Sequence, residues 1–160
     1  MGDVLAQFFV EGRARTKGHL QPRPVRDGRG RMKITNHDRP ELKAWLVELI
    51  KGIREQAGIT VVRDGRKVVG VEAPWPYVGP VVVDCDFYFQ REQGWESHDT
   101  PYPTARDIGD VDTLTRAVLD ALTMAGVLED DRWVVEIRAR KRWIDHPSAK
   151  TGVLCVVRLA

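Results

Sequence analysis

Cysteine is scarce. Cys85 and Cys155 are the two in a chain of 160 residues, and no Cys-x-x-Cys occurs. With four histidines and no His/Cys grouping at metal-ligand spacing, the sequence excludes a disulfide framework and a zinc cluster. Both cysteines fall on predicted strands and read as buried thiols in a reducing compartment. Long apolar runs are missing too. No stretch approaches the about 20 consecutive apolar residues that span a bilayer, and the N-terminus lacks a basic-then-apolar signal pattern. Ala6 stands where a myristoylation site prefers Ser or Thr. A cytoplasmic protein without membrane association is expected. Charge of one sign is also lacking: 25 Lys and Arg against 23 Asp and Glu leave +2. Overall charge therefore does not announce a polyanionic partner, and its distribution must be read instead.

What is present is an ordinary globular composition, 42% hydrophobic and 30% charged, of a length that suits one domain over residues 1–160. The most informative stretch is Asp107 to Lys141. Leu114, Val118, Ala121, Leu122 and Ala125 share one side of a helix. Asp112, Arg116 and Asp120, each four apart, share the other. Asp110 or Asp112 can cap this helix, and Gly126 stops it. Asp130-Asp131 then precedes a strand, so carboxylates from a helix start and a strand start are expected within reach of each other. One reading is a Mg²⁺ site for phosphoryl-transfer chemistry, since Mg²⁺ takes oxygen ligands and needs one or two protein carboxylates. The ordinary alternative is a capped helix, a solvated ladder and a plain turn.

Taken in order, the chain opens with a strand at Val4–Val10. A loop over 13–33 follows with Arg13, Arg15, Lys17, Arg23, Arg26, Arg29, Arg31 and Lys33 against the single acid Asp27. It reads either as a solvated loop or turn, or as an arm that tracks phosphates. A helix runs from Pro40 to Gln56, with Asp38 as N-cap and Leu42, Trp45, Leu46, Leu49, Ile50 and Ile53 as its apolar stripe. Residues 60–71 read as a hairpin turning at Asp64-Gly65. In the strand Val81–Gln90, Val81, Val83, Cys85, Phe87 and Phe89 face the core, and Asp84 and Asp86 share the other face, read as solvent-facing charge or as a further ligand for the acidic site. The polar stretch 91–106, holding Trp95, His98 and Asp99, reads as a mobile loop leading into Asp107. Strands at 132–142 and 152–159 are expected to pair as an antiparallel hairpin. Arg138, Arg140, Lys141 and Arg142 form a second basic patch, read either as a DNA contact or as charge that discourages edge pairing. The result is an α+β domain, helices on one face of a mixed sheet, in the order β-α-(β-hairpin)-β-α-β-β.

The pattern Asp110-Val111-Asp112, Arg116, Asp120-Ala121-Leu122, Ala125-Gly126-Val127 and Asp130-Asp131 before a strand resembles the RusA family of Holliday-junction resolvases of bacteria and their phages. Phe9 to Gly12 and Arg15 to Gly18 resemble that family's opening strand and basic loop more faintly. The resemblance implies a RusA-like fold and a Mg²⁺-dependent endonuclease, with Mn²⁺ as a substitute, acting as a homodimer on branched DNA. By position, Asp110, Asp112 and Asp131 would be the metal ligands. The family's catalytic Lys falls at Arg116 and its usual Asn at Thr113. Arg keeps a positive charge for the scissile phosphate but cannot give up a proton. Arg13, Arg15, Lys17, Arg138, Arg140 and Lys141 would contact DNA. Two other classes stay open: a branched-DNA-binding accessory without catalysis, and an interaction module whose acids are only caps.

Overall fold

The computed structural model describes residues 2–15, 24–26, 32–34, 40–91, 101–104, 108–144, 146 and 148–160. Lys17, the Asp38 cap, Trp95, His98, Asp99, Asp107 and most of the expected loop 91–106 lie outside the described residues.

The elements are β1 (Val4–Glu11), β2 (Pro24–Arg26), β3 (Met32–Ile34), α1 (Pro40–Ala57), β4 (Val61–Asp64), β5 (Lys67–Val71), β6 (Val81–Phe89), α2 (Val111–Ala125), a 3-10 turn (Asp131–Trp133), β7 (Val134–Trp143) and β8 (Gly152–Leu159). Four strands make the main sheet in the order β1-β8-β6-β7, while β2-β3 and β4-β5 form separate ribbons. This is the α+β class expected from the sequence. Within the expected irregular loop 13–33, β2 and β3 pair antiparallel on either side of Asp27-Gly28.

The strict alternation of β6 explains the architecture. Val81, Val83, Cys85, Phe87 and Phe89 are buried, and the residues between them are half-buried. Phe8 of β1 and Val153, Cys155 and Val157 of β8 join the same face. Leu42, Trp45, Leu49 and Ile53 of α1 close over it, together with Leu114, Val118 and Leu122 of α2. Each such side chain contributes about 1.5–3 kcal/mol on burial.

One expectation of pairing fails. β7 and β8 are not hairpin partners. β7 runs parallel to β6, and β8 lies antiparallel on the other side of β6. The reason lies in burial: β6 and β8 carry buried residues along their length and take the two central positions, while β7, largely exposed, is left at the edge beside β6. The β6-α2-β7 segment is then a parallel crossover, and the connection after β7 steps across one strand.

The two helices are locked together at one end. Arg54 of α1 donates from Nε to the Ala125 carbonyl and from a terminal nitrogen to Met124, satisfying carbonyls that the end of α2 leaves open. Gln56 binds both backbone groups of Phe9, accepting from its N–H at 2.9 Å and donating to its C=O at 2.8 Å. That side-chain amide occupies the outer edge of β1 where another strand would otherwise add. Among the described residues no helix is long and apolar enough to cross a membrane.

Candidate active site

The start of α2 is built residue by residue. Ile108 is buried and anchors the incoming chain. Gly109 turns with φ 83°, a conformation that costs glycine nothing and other residues a good deal. Asp110 follows at the N-cap with extended backbone, φ −85° and ψ 148°. Its carbonyl accepts the first helical hydrogen bond, from Leu114 N–H at 3.1 Å, and a second from the Thr113 hydroxyl at 2.9 Å. Its carboxylate makes no capping hydrogen bond. Asp110 therefore occupies the cap position that the sequence allowed, yet its side chain does not do the capping work.

Asp112 sits in the first turn, exposed, and faces Arg116 at 3.9 Å. Both side chains are more than half exposed, so the pair contributes little to stability. Thr113 and Thr115 are buried, and the Thr115 hydroxyl back-bonds to the Val111 carbonyl.

The second acidic pair divides its labour. Asp130 accepts from the Arg132 backbone N–H at 2.8 Å and so caps the 3-10 turn. Asp131 opens that turn, exposed, and among the described residues its carboxylate has no hydrogen-bond or ion-pair partner. The proline-rich connection holds this corner: Tyr77 donates to Val127 O at 2.9 Å and accepts from Glu129 N–H at 3.1 Å. Glu129 in turn takes hydrogen bonds from the side chains of Arg132 and Trp133, both at 3.0 Å.

The sequence brings Asp110 and Asp112 to one end of α2, and α2 packs against the 3-10 turn that carries Asp131. Among the described residues no three His, Cys, Asp or Glu side chains lie close enough together to hold a metal ion. The three-ligand cluster expected from the sequence is therefore not assembled by these residues alone. The donor chemistry nonetheless fits Mg²⁺. These are hard carboxylate oxygens, and one or two suffice when water and substrate phosphate complete the shell.

Of the residues expected to contact DNA, Arg13 and Arg15 line an open groove with Glu11, Glu41, Trp45 and Glu48. Arg138, Arg140 and Arg142 lie on the sheet face opposite the helices, in register with Asp84, Asp86 and Tyr88. There they are paired. Arg140 and Arg142 both reach Asp86, at 2.8 and 3.0 Å; Arg158 reaches Asp84 at 3.1 Å; Arg138 reaches Glu136 at 2.7 Å. The hydrogen bond to Glu136, then that carboxylate's charge, holds Arg138 above its ordinary pKa; Asp86 does the same for Arg142. Asp84 and Asp86 were expected to face solvent. Instead their side chains are 13% and 16% exposed and neutralise the arginines of both neighbouring strands.

Lys141 behaves differently. It lies in register with Phe87, on the helix side of the sheet, and donates to the Gly109 carbonyl at 2.9 Å. Sequence reasoning grouped it with the basic patch; the odd-even alternation of β7 was the signal that separates it from Arg138, Arg140 and Arg142.

The comparison with curated proteins finds no match. The family described as Endodeoxyribonuclease RusA matches residues 68–153, a span that runs from β5 through β6, α2 and β7 to the start of β8 and contains Asp110, Asp112, Arg116 and Asp131. The chain belongs to the RusA endodeoxyribonuclease family.

Proposed function

We propose that this protein is a Mg²⁺-dependent, structure-selective endonuclease that hydrolyses phosphodiesters in branched DNA, four-way junctions above all, as a cytoplasmic homodimer. One observation carries the reading. Within the matched family span, the Asp110 carboxylate stands at the head of α2 with its capping duty taken over by nothing it touches. A carboxylate placed there without a capping bond among the described residues is available for a ligand.

Asp110, Asp112 and Asp131 would hold the metal. The bound ion supplies Lewis-acid chemistry, activation of water and neutralisation of phosphate charge. The protein's own part is positional. Thr113 and Leu114 fix the Asp110 backbone, and Asp130 fixes the turn that presents Asp131. Arg116 would stabilise the scissile phosphate as a permanent cation, four residues from Asp112 and 3.9 Å away. Arg13, Arg15 and Lys17 would supply phosphate contacts that offset the acidic site's repulsion of DNA. A two-fold dimer suits a substrate with two related strands to cut.

The test is cleavage of labelled four-way junction, fork and linear duplex in Mg²⁺, Mn²⁺ and EDTA, with the dimer checked by light scattering. Paired nicks in the junction that need metal support the proposal. Tight junction binding with no cut in either metal would favour the accessory reading, in which Arg116 in place of the family's Lys marks lost catalysis.

A further inference from the structure

We propose that Lys141 is a positioning residue for the Asp110–Asp112 pair, acting through the Gly109 carbonyl; the inference rests on the metal-site reading above. Three observations point to it. Lys141 Nζ donates to Gly109 O at 2.9 Å across 32 residues of sequence, joining the edge strand β7 to the turn from which α2 starts. Its side chain is half-buried on the helix side of the sheet, in register with the buried Phe87, so its stem lies along the core while the ammonium reaches the turn. Gly109 itself has φ 83° and follows the buried Ile108; glycine has many alternative backbone conformations, so the carbonyl that Lys141 holds belongs to a turn that an outside restraint can fix.

The consequence is mechanical. Asp110 has one restraint on its C-terminal side, where its carbonyl accepts from Leu114 N–H and from the Thr113 hydroxyl. Lys141 supplies the restraint on the N-terminal side. A charge-assisted hydrogen bond is about twice as strong as a neutral one, so this is the firmer of the two. With both in place the Asp110 carboxylate needs no bond of its own to stay oriented. Without Lys141 the Gly109 peptide is free to rotate, and the first turn of α2 presents its carboxylates over a wider range of directions. Residues that orient metal ligands in this way commonly change metal affinity by about 10- to 100-fold when removed. The alternative role, a direct phosphate contact, makes a different prediction, because each lost contact lowers the salt dependence of DNA binding by about one unit of slope.

The experiment uses full-length protein. Mn²⁺ binding is titrated by electron paramagnetic resonance for the parent, Lys141→Met, Lys141→Gln, Lys141→Arg and Asp112→Asn, and amide exchange is followed over residues 108–114. Junction affinity is measured in EDTA across a salt series. The expected result is Mn²⁺ affinity reduced about tenfold or more in Lys141→Met and Lys141→Gln, partial rescue in Lys141→Arg, faster exchange at 108–114, and unchanged junction affinity and salt slope. Parent-like Mn²⁺ binding in both Lys141→Met and Lys141→Gln would overturn the inference alone. A reduced salt slope with intact Mn²⁺ affinity would assign Lys141 to phosphate contact and overturn it too. If the parent binds Mn²⁺ no better than Asp112→Asn, the metal-site reading falls and carries the inference with it.

Discussion

The Thr113 hydroxyl donates to the Asp110 carbonyl at 2.9 Å, across the first turn of α2. The bond orients the backbone of Asp110, whose carboxylate makes no capping hydrogen bond of its own. Where the RusA resemblance places an Asn, Thr still supplies a hydrogen bond, and it supplies it to the backbone of a proposed ligand. Asp110 and Asp130 thus differ in kind, though both precede a helical turn: the second uses its carboxylate to cap, and the first does not.

That difference predicts opposite stability effects. Asp130→Ala removes a capping acceptor and is expected to cost about 1 kcal/mol. Asp110→Ala is expected to change stability by about 0.5 kcal/mol or less while abolishing cleavage. Denaturant midpoints of the two variants give the comparison. A larger loss for Asp110→Ala than for Asp130→Ala would show that Asp110 is a cap after all.

Gly12 lies directly over the Trp45 ring. Its φ is 140°, and a Cβ built there would stand 2.8 Å from the Trp45 Cζ3 atom. Gly12→Ala is therefore expected to destabilise by about 2 kcal/mol or more through backbone strain and a core clash. Gly58→Ala, where a Cβ meets open space and only the positive φ is strained, should cost less. Thermal melts of the two variants, compared side by side, check the ordering.

Cys85 and Cys155 face each other across β6 and β8 with sulfurs 3.9 Å apart, both fully buried. Burial, then the neighbouring Cys85, raises the Cys155 thiol well above its ordinary 9.0. In the folded chain the neutral thiol persists where the unfolded chain has already lost its proton. The stabilisation is thus complete below about pH 9 and is lost as pH rises beyond it. The difference in unfolding free energy between the parent and Cys155→Ala should narrow between pH 8 and pH 10. A constant difference across that range would contradict the burial argument.

For DNA contact, Arg13 and Arg15 are proposed from their place beside an open groove on the N-terminal arm, and Arg138 and Arg140 are expected to contribute little. The latter two already face Glu136 and Asp86, which neutralise them in place. Replacing Arg13 and Arg15 together by Ala should lower the slope of log affinity against log salt by about two. Arg140→Ala should change it less. Binding of a fixed junction across a salt series in EDTA measures both.

Much of this is legible in the sequence. The alternation Val81, Val83, Cys85, Phe87, Phe89 forced a strand with one buried face, and the Leu114-Val118-Leu122 spacing with Gly126 behind it forced a helix and its end. Sheet order was not legible. The turn-like Asp145 to Lys150 segment suggested that β7 and β8 pair, because local signals see only neighbours in sequence. The pairing follows from which strands are buried, and those are β6 and β8, which take the two inner positions. The same blindness hid the partners of Asp84 and Asp86. Their arginines come from β7 and β8, 54 to 74 residues away, so a register was needed to find them. The site itself is legible as a set of carboxylates but not as an assembly, since among the described residues Asp110, Asp112 and Asp131 do not form a closed cluster.

The most direct measurement is single-turnover cleavage of a labelled four-way junction in Mg²⁺ and in EDTA by the parent protein and Asp112→Asn. The account predicts paired nicks by the parent in Mg²⁺, none in EDTA, and a loss of at least about 100-fold in rate for Asp112→Asn at unchanged junction affinity. Cleavage by Asp112→Asn at the parent rate, or by the parent in EDTA, would contradict it.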